Sequence, residues 1–187
     1  MPDIESLYRK EGDRILIEIT LSSVIQLFNS FDPAPFHEKE LDRDAERYIV
    51  ETVKDFPKKT QFKIHIYLPV DIASTDQATK IPQAIHNHFA YRVLVEDRKF
   101  RLRFRYGRWA LVIGLTCLFI ALLARQAVSQ IANHLLAQLF ADALLIIGWA
   151  AMWEPVTVLL YELWPIIEQK RIYEKLSLTD IEILPRP

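Results

Sequence analysis

The chain has 187 residues, 51% of them hydrophobic and 25% charged, with a mean hydropathy of +0.07 and a formal net charge of −1. That average joins unlike regions. Residues 1–97 carry 12 Lys and Arg against 17 Asp and Glu, residues 98–108 carry 6 basic residues and no acid, and residues 109–187 carry 5 against 7. The single cysteine, Cys117, excludes an intramolecular disulfide framework and a multi-cysteine metal site, and four scattered glycines exclude a glycine-rich phosphate loop.

In chain order, Arg14–Leu21 (RILIEITL) sets Ile15, Ile17 and Ile19 on one face and predicts a strand. Ser22–Phe28 reads as a short apolar turn or helix, and Asp32-Pro-Ala-Pro-Phe36 as a stiff loop. Across Glu38–Phe56, Leu41, Ala45, Tyr48, Ile49, Val53 and Phe56 recur at helical spacing. Asp42, Arg43, Asp44, Glu46 and Arg47 are left as the solvated face of that helix. Gln61–Leu68 (QFKIHIYL) alternates as a second strand. Strand, helix, strand in this order predicts a right-handed βαβ unit with parallel strands. Such a unit buries too little surface to stand alone. The tail Asp180–Leu184 (DIEIL) repeats the same alternation and is expected to return as a third strand, in the same sheet or a neighbour's.

A helix is expected from about Thr79, with Pro82 in its first turn. It is expected to run through the basic stretch into the apolar segment Trp109–Ala124 (WALVIGLTCLFIALLA), which has no charge. With Gly107 and Arg108 this approaches the ~20 residues that cross a bilayer. A second apolar segment runs from Leu135 to Trp153 and is interrupted by Asp142. The spans are placed at about 107–125 and 135–154. A buried hairpin in a soluble protein is the alternative, but such helices carry a polar stripe and Trp109–Ala124 has none. Basic residues precede the first span and follow the second (Lys170, Arg171, Lys175), which predicts cytoplasmic termini and an external loop. Trp109, Trp149, Trp153 and Trp164 fall at the inner ends, as interface anchors do. Glu154-Pro155 is expected to bend the chain into an interfacial helix over Val156–Ile167.

The fold class expected is therefore an α+β membrane protein. It has a cytoplasmic βαβ domain (1–78), a basic juxtamembrane helix (79–108), a transmembrane hairpin (109–153), and an interfacial helix with a C-terminal strand (154–187).

Two segments carry a resemblance. WAAMWEPVTVLLYELWPI (Trp149–Ile166) and LFNSFDPAPFHEKELD (Leu27–Asp42) resemble the WxxMWxP…LYxxWP box and the LFN–DPxPF segment of uncharacterised bacterial two-span inner-membrane proteins. The pattern has a basic residue where Glu154 stands here. The resemblance implies a bacterial inner-membrane location and brings no activity with it.

The basic collar Arg98, Lys99, Arg101, Arg103, Arg105 and Arg108 is the strongest functional signal. Topology alone requires some of these charges. Six in eleven residues exceed that need, and each can gain on the order of 1 kcal/mol from anionic lipid headgroups. The acidic region before it disfavours nucleic acid as a partner. Asp142 is either an interfacial acid or a polar site on an ion path. His37, His65, His86, His88 and His134 lack metal-ligand spacing, so no metal or cofactor is expected. No nucleophile–base constellation is recognisable, so an enzyme is not expected. The function expected is a membrane-anchored scaffold or accessory subunit that forms a homo-oligomer or docks a partner. The alternative is a small oligomeric channel or transporter component that uses Asp142.

Overall fold

The computed structural model describes residues 7–36, 39–128 and 134–186. His37, the side chain of His134 and most of the stretch connecting the two apolar segments lie outside the described residues. The chain is mixed α+β. It divides into two units, Met1–Val95 with Lys170–Pro187, and Glu96–Gln169.

The first unit is built on a four-stranded sheet in the order β1 (Lys10–Glu11), β2 (Arg14–Thr20), β3 (Gln61–Leu68), β4 (Asp180–Pro185). β1 is antiparallel to β2; β2, β3 and β4 are parallel. Register aligns the β-branched side chains: Ile17 opposes Ile64, Ile19 opposes Ile66, and Ile66 opposes Ile183. These residues share one face because side chains alternate along a strand. Helices close over that face. α1 (Arg43–Lys54) contributes Ile49, Val50 and Val53; α3 (Asp76–Val128) contributes Ala78, Ile81, Ala84, Ile85 and Phe89; α5 (Leu163–Leu176) contributes Tyr173 and Leu176. A short α2 (Val70–Ala73) precedes α3, and Val24–Leu27 forms a 3₁₀ turn capped by Ser23. Asp42 caps α1 by accepting from the Asp44 N–H, which satisfies one of the first-turn donors.

One boundary and one added strand stand out against the sequence reading. α3 begins at Asp76, so Pro82 lies in its second turn rather than its first. The sheet also gains β1, which no hydrophobic pattern marks, because Gly12 at φ +62° turns the chain back onto β2.

The opposite face of the sheet carries polar side chains that satisfy one another. Lys63 Nζ lies 2.8 Å from both Glu11 and Glu182, Tyr67 donates to Glu18 at 2.8 Å, and Arg14 pairs with Asp180. The hydrogen bonds from Lys63 hold the Glu11 carboxyl below its usual range and raise the Lys63 ammonium above its own.

The second unit is an antiparallel pair formed by the later part of α3 and by α4 (His134–Thr157), followed by a π-helical turn, Val158–Glu162. Small residues set its seam. A Cβ on Gly107 would lie 2.9 Å from Val158, one on Gly114 would lie 2.8 Å from the Ala151 carbonyl oxygen, and one on Gly148 would lie 3.0 Å from Ala121. Such contacts let apolar helices approach without relying on water to drive them together. Pro155 has no N–H, so the Ala151 carbonyl lacks its usual donor four residues on. That carbonyl is the group on which Gly114 packs. At Glu154-Pro155, where the sequence predicts a bend, the helix instead continues, and a π-helical turn follows just beyond the proline. Two helices are long and apolar enough to cross a membrane, Asp76–Val128 and Gln138–Leu176.

Candidate functional site

In the second unit, the collar residues differ in their partners. Lys99 pairs with Glu96 at 2.6 Å, Arg101 with Asp97 at 2.5 Å, and Arg103 with Glu162 of the π turn. Among the described residues Arg98, Arg105 and Arg108 have no such acidic partner, and all three are exposed. Trp109, Trp149, Trp153 and Trp164 are all exposed side chains. The seam contacts bring Trp109 to the same end of the helix pair as Trp149 and Trp153. Asp142 is exposed and lies 3.9 Å from Arg125, so its charge faces an opposite one.

In the first unit a buried polar cluster joins three helices. The Glu46 side chain, on α1, is only 14% exposed. Its Oε1 accepts from Arg92 Nε at 2.8 Å and from the Tyr173 hydroxyl at 2.8 Å, and its Oε2 lies 3.3 Å from His88 Nε2. The Leu41 N–H donates to His88 Nδ1 at 3.1 Å, which leaves the ring proton on Nε2, facing the carboxylate. The Arg92 guanidinium also stacks over the Tyr173 ring at 5.3 Å. Burial alone would raise the Glu46 pKa. The close approach of His88, the hydrogen bond from Tyr173 and the charge of Arg92 outweigh it, and the carboxyl is lowered to about 2.

Glu46 therefore does not belong to the solvated face on which the helical pattern placed it. Asp42 and Asp44 do lie outside the core, as the helix cap and as the exposed partner of Arg47. The missed signal was on α3, where His88 and Arg92 stand one turn apart on a face that also carries the core residue Phe89. His86 instead bonds the Thr179 carbonyl at 2.8 Å, and His65 lies 3.4 Å from Glu182 on the polar face of the sheet. Among the described residues no group of His, Cys, Asp and Glu is arranged to hold a metal ion.

Beside this cluster runs a groove of about 760 Å³ lined by Asn29, Asp32, Glu40, His88, Tyr91 and Leu94, among others. Its acidic wall is ordered by Asp32, which accepts from the Ala34 and Glu40 N–H groups at 2.9 and 2.8 Å. Those two backbone donors hold the Asp32 carboxyl below its usual range. Next to it Phe31 is 93% exposed. No protein family, curated protein or solved structure matches the chain.

Proposed function

We propose that the protein is a membrane-anchored scaffold or accessory subunit, held in a bacterial inner membrane by its two apolar helices and docking a partner through the first unit. The observation that carries the anchoring is exposure: only 11% and 17% of the most apolar stretch of the two helices is buried. A core hairpin of a soluble protein would bury most of that surface. The LFN–DPxPF and WxxMWxP…LYxxWP segments support the bacterial location by resemblance. The first unit, read as a βαβ module extended by β4, supplies the docking surface. Phe31, beside Asp32 of the groove wall, is 93% exposed, and Tyr91 and Leu94 of the lining are exposed as well.

The partner test uses the full chain solubilised from native membranes in mild detergent. A partner or second copy is expected in fixed stoichiometry, lost on Phe31→Ser with the fold retained. Wild-type stoichiometry in that variant would overturn docking through this surface. Ion flux through the protein in liposomes, abolished by Asp142→Asn, would replace the proposal with the channel alternative.

Both termini are read as cytoplasmic, from the basic residues that flank the two spans. In a Cys117→Ala background, a cysteine at the exposed Leu178 is expected to resist a membrane-impermeant thiol reagent in intact cells, whereas one at Ser129 reacts. The reverse pattern would invert the topology.

A further inference from the structure

We infer that the collar is divided in function: Arg105 and Arg108 form the binding site for the phosphate of an anionic phospholipid, with Arg98 adding charge further along the same stripe, while Lys99, Arg101 and Arg103 are held in ion pairs by the protein's own carboxylates. The inference rests on the reading that α3 enters a membrane near Arg108.

Six adjacent cations suggest a uniform band of charge, but the fold removes half of it. Glu96 and Asp97, just upstream on α3, hold Lys99 and Arg101, and Glu162 returns on the π turn to hold Arg103. Each of these three already has a carboxylate within ion-pair distance, and a phosphate would have to displace it. Arg98, Arg105 and Arg108 have no such competitor among the described residues.

At about 100° per residue the three free arginines fall within roughly 80° of arc, one stripe rather than a ring; Arg101 lies in the same arc and is set apart by its ion pair with Asp97. Arg105 and Arg108 are one turn apart, about 4.5 Å along the axis, close enough for both guanidinium groups to reach one phosphate. Helical side chains lean toward the N-terminus, which is here the aqueous end, so Arg108 reaches back from the edge of the hydrocarbon toward Arg105. The exposed ring of Trp109 follows at once, an amphipathic group suited to the level just below the phosphates. Arg98 lies about 15 Å above Arg108, too far to share its phosphate, and contributes longer-range attraction to the anionic surface.

The occupant is a phospholipid rather than a soluble phosphate because the stripe runs directly into the apolar surface of the helix. Val112 and Leu115 continue the stripe and are exposed there, where acyl chains would lie against them.

The experiment compares two triple variants of the full chain, Arg98→Gln/Arg105→Gln/Arg108→Gln and Lys99→Gln/Arg101→Gln/Arg103→Gln, which remove the same formal charge. Each is incubated in detergent with mixed micelles of phosphatidylglycerol and phosphatidylcholine, and retained phosphatidylglycerol is measured after purification. The first variant is expected to lose about five-fold in apparent affinity for each of Arg105 and Arg108 and less for Arg98, about 25-fold or somewhat more together. The second is expected to stay near wild type. Equal losses in the two variants would overturn the division, and so would full retention by the first. Displacement by inorganic phosphate alone, as effective as by phosphatidylglycerol micelles, would overturn the lipid assignment. Resistance to alkaline extraction from membranes is scored in parallel. Extraction of the wild type would overturn the membrane reading itself, whereas lipid loss in a chain that stays inserted bears on this site alone. Should the first triple variant fail to insert, Arg105→Gln is read instead, with the same five-fold loss expected and wild-type retention as the overturning result.

Discussion

Replacing Glu46 with glutamine is expected to destabilise the first unit by roughly 3 kcal/mol near neutral pH. The carboxylate receives Arg92 and Tyr173 on one oxygen and faces His88 with the other. An amide would offer one acceptor in place of two and would leave the guanidinium without its counter-charge. The effect carries a pH signature. The Glu46 pKa falls from 4.5 to about 2 on folding, so its contribution is fully present above about pH 4.5 and is lost as the pH falls toward 2. Wild type and Glu46→Gln should therefore differ most above pH 4.5 and converge in acid. Hydrogen exchange of the α1 and β3 amides in the full chain reads this directly. A stability gap that is constant across that window would show that Glu46 acts through packing and not through its charge. Tyr173→Phe, which removes a hydroxyl that donates to Glu46 and accepts from Arg92, should cost about 1.5–3 kcal/mol.

The second large effect is expected at Gly114. An alanine Cβ there would already lie 2.8 Å from the Ala151 carbonyl oxygen, a backbone atom that cannot rotate aside. Gly114→Val should push the helices of the pair apart and cost about 1–3 kcal/mol. The helical transition followed by circular dichroism should fall by roughly 2–4 °C per kcal/mol. Ile113→Val, one position away on the exposed surface, serves as the control and should leave the transition in place. An unchanged transition in Gly114→Val would mean that the two helices do not close at this seam.

Much of this architecture is legible in the sequence because it is periodic. The parity of Ile15, Ile17 and Ile19, and of Phe62, Ile64 and Ile66, marks β2 and β3, and the same parity at Ile181 and Ile183 marks β4. The uncharged run after Trp109 marks the first apolar segment. What was not legible depends on residues far apart in the chain. Glu46 looks like any acid on the polar side of an amphipathic helix, and only the fold brings up His88, Arg92 and Tyr173. β1 is two charged residues, and a glycine turn rather than a pattern makes them a strand. The collar reads as six equivalent cations until Glu162 comes back to claim Arg103.

The position of β4 has a consequence for biosynthesis. β3 is a central strand, paired with β2 on one side and with β4 on the other, yet the ribosome makes β2 and β3 early and β4 only after both long helices. Until Asp180–Pro185 emerges, β3 is an open edge, with Ile64 and Ile66 flanked on one side only. An open edge rich in isoleucine is a template for pairing with another chain. The nascent first unit therefore passes through an extended interval in which it is prone to self-association, and closing that edge must await one of the most non-local pairings in the chain. The quality of this protein's folding is thus decided late, by six residues that arrive after the rest of their sheet has been waiting for them.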